Sequence, residues 1–109
     1  MVSTMKVTFL ILVLWSFAFH IEARCGLVNC ICSTNEYLQK TMTCRNISSI
    51  PDNIPTDIQK LDVAENSIEN ITSEKFENLT ALSILTLSRN QIRHIYPGTF
   101  KSLTAVTNL

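Results

Sequence analysis

The sequence predicts a solenoid: a coil of stacked repeat units whose short strands line up as a parallel β-sheet, with a disulfide-bonded cap at the N-terminal end. Three observations predict it. A 24-residue pattern occurs twice in succession, four cysteines crowd into the stretch before it, and an apolar run precedes the cysteines. A chain of 109 residues has room for one small domain.

Residues 1–23 read as a secretory signal peptide. Lys6 precedes a nearly unbroken apolar run, Val7 to Phe19, too short for a bilayer span of about 20 residues. Ile21-Glu22-Ala23 offers a small-residue cleavage context, and Ser16-Phe17-Ala18 a second one. An uncleaved N-terminal anchor is the alternative, and the length of the run argues against it. The nine basic and nine acidic side chains lose one each with the leader, Lys6 and Glu22. The remainder is neutral and has no basic block, so nothing favours a nucleic-acid partner.

Residues 24–57 hold all the cysteines: Cys25, Cys30, Cys32 and Cys44. An even number at close spacing in a secreted chain reads as a disulfide framework, and its pairing stays open among three possibilities. Zinc is the rival. It is disfavoured because no C-x-x-C pair occurs and the only histidine beyond the leader is the distant His94. A half-repeat, Ile47…Ile50-Pro51…Ile54-Pro55, completes the segment. A solenoid exposes apolar core at its ends and needs a closing unit, and this stretch is placed to be one.

Two repeats follow, at 58–81 (IQKLDVAENSIENITSEKFENLTA) and 82–105 (LSILTLSRNQIRHIYPGTFKSLTA). Leu61 matches Leu85, Val63 matches Leu87, Asn66 matches Asn90 and Ile68 matches Ile92. Ile71 with Ile95, Phe76 with Phe100 and Leu79 with Leu103 continue the series. Residues 106–109 begin a third copy, since Val106 and Leu109 fall where Leu82 and Leu85 stood. Leu61-Asp62-Val63 and Leu85-Thr86-Leu87 alternate with period two, which predicts short strands with one buried face. Ile68, Ile71, Phe76 and Leu79 return along the other side and fill the shared core. Pro97-Gly98 breaks regular structure on the return limb.

Asn66 and Asn90 stand where the chain leaves the strand and turns under the next copy. Backbone groups there lose their ladder partners, and an amide supplies two donors and an acceptor to satisfy them. Both asparagines are read as structural.

The pattern L-x-x-L-x-L-x-x-N-x-L-x-x-L resembles the extracellular leucine-rich repeat family, and it covers nearly the whole chain beyond the leader. The resemblance implies a leucine-rich repeat solenoid, a right-handed β-α type coil. Its parallel sheet would line the concave face, with irregular or 3-10 segments on the convex side. The spacing C-x4-C-x-C-x11-C is similar to the cysteine-rich N-terminal cap of that family, which implies Cys25–Cys32 and Cys30–Cys44. It also implies an asparagine ladder from one repeat to the next.

Three sequons occur, at Asn46, Asn70 and Asn78, and in a secreted chain they need only exposure to carry glycans. Asn70 and Asn78 align with the variable positions His94 and Ser102. No catalytic constellation is present: no G-x-S-x-G, no H-E-x-x-H and no glycine-rich phosphate loop, with Gly26 and Gly98 the only glycines. No cofactor, metal or enzymatic activity is expected, and His94 reads as a solvated side chain.

What remains is the outward side of the strands: Lys60, Asp62 and Ala64, then Ile84, Thr86 and Ser88, with Glu65 and Arg89 at the rim. Ile84 is either a contact point or a lone surface residue. The resemblance implies the N-terminal part of a secreted or cell-surface protein that recognises an extracellular protein ligand on this concave face. Similar groups include leucine-rich repeat-containing protein 15, Toll-like receptor ectodomains and lamprey variable lymphocyte receptors. A structural matrix protein resembling the small leucine-rich proteoglycans, or a short secreted decoy, is the alternative. Because the third copy breaks off at Leu109, a longer protein is expected, with any membrane attachment beyond that residue. The open end is expected to expose Leu85, Leu87 and Phe100.

Overall fold

The computed structural model describes residues 25–109; the signal peptide expected over 1–23 and both cleavage contexts lie outside the described residues. Two strands come first, β1 (Cys30–Thr34) and β2 (Lys40–Cys44), followed by two three-residue strands, β3 (Lys60–Asp62) and β4 (Ile84–Thr86). They form one sheet in chain order. A single 3-10 turn, Ser73–Phe76, interrupts the return limb of the first repeat.

β2, β3 and β4 pair in parallel, with Met42 opposite Leu61 and Leu61 opposite Leu85. Lys60 faces Ile84, so one strand advances to the next by the repeat length, 24 residues (84 less 60). Thr41 faces Lys60, so the first advance is only 19 (60 less 41). Parallel neighbours need a crossover of a dozen residues or more, which both connections supply.

β1 departs from the expected parallel sheet. It pairs with β2 antiparallel, with Cys30 opposite Cys44 and Thr34 opposite Lys40. The five residues between these strands are too few for a crossover, so the chain must double back. Asn35 holds the turn: its Oδ1 accepts the Tyr37 and Gln39 N–H groups, each at 2.9 Å.

The core follows the alternation. Met42, Cys44, Leu61, Val63 and Leu85 project beneath the sheet. Ile50, Ile58, Ile68, Ile71, Phe76, Leu79 and Leu82 close the space from the return limbs. Full burial of a leucine, isoleucine or phenylalanine of this kind contributes about 1.5–3 kcal/mol. The Phe76 and Phe100 rings pack across the two repeats with centroids 5.7 Å apart.

The amides of Asn66 and Asn90 repeat one hydrogen-bond plan. Asn66 Nδ2 donates to the carbonyls of Cys44, Val63 and Ala64, and its Oδ1 accepts the Ile47 N–H. Asn90 Nδ2 donates to Val63, Leu87 and Ser88, and its Oδ1 accepts the Ile68 N–H. Each amide thus bonds both its own bend and the bend of the preceding turn.

Three expectations about exposure are corrected. Leu85 is buried, because the segment leading to Asn108 continues the sheet: the Leu85 N–H donates to the Asn108 carbonyl at 3.1 Å, and Leu103 packs below. Leu87 and Phe100 are likewise partly buried against the core. Ala64 is not an outward position. It is only 8 % exposed, since its carbonyl is tied to the Asn66 amide and the bend draws its short side chain inward. Conversely, Ile95 is 53 % exposed although its counterpart Ile71 is buried. Repeat two covers Ile71, and among the described residues no further copy covers Ile95.

Candidate binding face

Because strand side chains alternate, the residues between the buried leucines share the opposite side of the sheet. The register places them in rows. Thr41, Lys60 and Ile84 form one row; Thr43, Asp62 and Thr86 form the next. All six are half-buried. Ser88 is exposed beyond them, and Ala64 is withdrawn as described. Sequence reasoning missed the β2 contribution, although the Thr-Met-Thr alternation beside Cys44 carried the signal.

Arg45, just after β2, reaches over the face. Its Nη2 donates to Asp62 Oδ2 at 3.3 Å and its Nη1 to the Cys44 carbonyl at 2.8 Å. Asp62 Oδ1 accepts the Ala64 N–H at 3.0 Å. Partial burial would raise the Asp62 pKa. The Ala64 N–H and the Arg45 guanidinium outweigh it and hold the carboxyl below its ordinary value, with Lys60 adding to the effect. The face therefore presents a fixed carboxylate between two cations, flanked by hydroxyls and two aliphatic side chains, Ile84 and the Ile31 that β1 sets opposite Thr43.

The rim repeats a backbone feature. Glu65 and Arg89, each just before a structural asparagine, have φ near +57° and +56°. This left-handed geometry turns the chain under, and their side chains approach at 3.8 Å.

Cys25 pairs with Cys32 and Cys30 with Cys44. The second bridge is buried and directly cross-strand; the first is half-buried. Asn46, Asn70 and Asn78 are all exposed: Asn46 in the bend after β2, Asn70 on the return limb and Asn78 just past the 3-10 turn. None of them lies in the strand rows. His94 is exposed, with its ring near that of Tyr96. Among the described residues no group of histidine, cysteine and carboxylate side chains is arranged to hold a metal ion. No helix there is long and apolar enough to cross a membrane.

Residues 56–109 match the family model for the leucine rich repeat. The chain is 33 % identical over 91 residues to leucine-rich repeat-containing protein 3B of Homo sapiens, covering 84 % of this chain and 35 % of that protein. It is 38 % identical over 58 residues to Toll-like receptor 4 of Felis catus, covering 53 % and 7 %. It is 41 % identical over 61 residues to the leucine-rich repeat transmembrane protein FLRT2 of Rattus norvegicus, covering 54 % and 9 %. The chain spans about a third of the length of the first of these relatives. The 24-residue register, the paired asparagines and these matches agree: the chain belongs to the leucine-rich repeat family.

Proposed function

We propose that the chain is the N-terminal part of a secreted or cell-surface recognition protein that binds an extracellular protein through the outward side of its strands. In this reading residues 1–23 are removed as a signal peptide and residues 24–57 serve as the cap. Repeats 58–81 and 82–105 begin a solenoid that residues 106–109 continue.

The observation that carries the reading is the pair of in-register rows, Thr41–Lys60–Ile84 and Thr43–Asp62–Thr86. They set charge, hydroxyl and aliphatic groups at fixed strand spacing, as an interface with a polar rim and an apolar contact requires. Asp62 keeps its charge to lower pH than a free aspartate because it is already bonded, so its contribution is electrostatic and orienting. Two of the relatives are named a receptor and a transmembrane protein, in keeping with a cell-surface setting. Relatives of this family support recognition, not catalysis, as the general role.

The test is binding of the purified chain to an array of purified extracellular domains. Ile84→Asp and Thr86→Arg are expected to weaken a captured ligand by about tenfold or more, while Glu77→Arg, off the strand rows, leaves it unchanged. A ligand sensitive to Glu77→Arg and indifferent to both strand variants overturns the reading.

A further inference from the structure

Four of the large apolar side chains left in water belong to one hairpin. Val28 is 83 % exposed, Ile31 58 %, Tyr37 81 % and Leu38 78 %. Leu38 is also held at φ +61°, a left-handed geometry that costs a branched apolar residue about 1–2 kcal/mol. Five hydrogen bonds made by Asn35 across the turn hold this strained backbone in place.

The same hairpin carries the open edge of the sheet. In an antiparallel pair, hydrogen-bonded and non-hydrogen-bonded residue pairs alternate. The Arg45 N–H donates to the Asn29 carbonyl and the Asn35 N–H to the Gln39 carbonyl, so odd-numbered residues face β2. Cys30 and Cys44, one step off, have Cα atoms 4.1 Å apart, the close spacing of a non-hydrogen-bonded pair. Cys30, Cys32 and Thr34 therefore turn their main-chain groups outward. The Cys30 N–H bends back to Leu27. The other five groups, three carbonyls and the Cys32 and Thr34 N–H, have no partner among the described residues. Proteins blunt such edges with charge or proline, yet residues 25–35, CGLVNCICSTN, contain neither.

We propose that β1 is the pairing edge of a symmetric dimer, in which two copies of this chain join antiparallel with Cys32 opposite Cys32 of the second copy. The outward groups are self-complementary in that register. Each Cys32 N–H donates to the other copy's Cys32 carbonyl, and each Thr34 N–H to the other copy's Cys30 carbonyl. Neither strand carries a charge to repel its twin. Because the pairing is antiparallel, the Thr34 end of one copy, with Tyr37 and Leu38 just beyond it, lies at the Cys30 end of the other, beside the turn that carries Leu27 and Val28. A concavity of about 700 Å³ already lies there, lined by Leu27, Val28 and Ile31 among others. Thus the strained tip and the groove at the hairpin's base, unrelated within one copy, become partners across the two-fold axis. This is why a second copy, and not an arbitrary extended peptide, is the occupant. The groove shares Thr43 and Arg45 with the strand face, but Thr34 and Leu38 belong to neither row, so variants at those two positions test the pairing by itself.

The test uses the full chain as it leaves a secretory host, with both disulfides formed. Sedimentation velocity is expected to show a concentration-dependent monomer–dimer equilibrium. Hydrogen exchange at Cys32 and Thr34 is expected to slow as concentration rises, while Ile31 and Ser33 stay protected throughout. Leu38→Asn, which suits the left-handed backbone, is expected to leave the monomer at least as stable while weakening the dimer about tenfold. Thr34→Pro removes one outward N–H without touching the β2 ladder and is expected to give only monomer; should it not fold, Leu38→Asn decides. A chain that stays monomeric to its solubility limit overturns the proposal. So does a dimer whose Cys32 and Thr34 amides exchange freely, or one in which an added peptide, not a second copy, protects them.

Discussion

Asn66 and Asn90 donate to the same carbonyl: Val63 O accepts the Asn66 amide at 2.9 Å and the Asn90 amide at 2.8 Å. One oxygen, with both lone pairs used, joins the two repeats at the point where each leaves the sheet. The bond from Asn66 is local to its own bend, and the bond from Asn90 crosses from the next turn. Repeat-to-repeat coupling therefore runs through a main-chain atom that no substitution at position 63 removes.

Asn66→Ala is expected to destabilise the chain by about 3–5 kcal/mol and Asn90→Ala by about 1–3, because leaving a buried polar group unpaired costs roughly 1–3 kcal/mol. Asn66 is the more deeply buried of the two. Chemical denaturation monitored by circular dichroism gives the order; equal costs would mean that the second bend is as enclosed as the first.

Glu65→Asn and Arg89→Asn are each expected to stabilise by about 0.5–1 kcal/mol, because asparagine tolerates the left-handed region both positions occupy. The ion pair lost at the rim is exposed and long, 3.8 Å, and such pairs contribute little. Midpoints of thermal unfolding for the two variants and the parent decide it.

Removing Cys30–Cys44 as paired alanines is expected to cost more than removing Cys25–Cys32. Loop closure alone gives about 3 kcal/mol for the longer loop and slightly less for the shorter. The buried bridge adds the loss of core packing around Cys30 and Cys44. Limited reduction followed by thiol alkylation is expected to label Cys25 and Cys32 first.

Stability is expected to fall in acid partly through Asp62. Its folded pKa lies below the ordinary 3.8, so its contribution is fully present above that value and is lost as pH drops through the folded pKa. Asp62→Asn should flatten this part of the profile without changing stability's pH dependence near neutrality. Asp57, lowered by its hydrogen bond from Lys40, follows the same sign but is fully exposed, and its substitution should change the profile little.

Expression in a glycosylating host is expected to add glycans at Asn70 and Asn78, both exposed and off the strand rows. Enzymatic deglycosylation followed by peptide mass mapping identifies each occupied site. Strand-face ligand binding should survive deglycosylation.

Much of this arrangement was legible from residue type and spacing. Leu61, Val63 and Leu85 announce their burial because an aliphatic side chain gains the same transfer free energy wherever a period-two strand presents it. The amides of Asn66 and Asn90 announce a bend because that backbone needs both donors and an acceptor. The antiparallel entry of β1, the withdrawal of Ala64, the cover over Leu85 and the exposure of Ile95 were not legible. Each depends on which distant segment lies alongside, and periodicity within a strand says nothing of its neighbour across the sheet. The sequence by itself determined which side chains seek the core and where the chain must bend. Only the tertiary structure decided which edges and faces stay open, because exposure belongs to pairs of segments and not to any one of them.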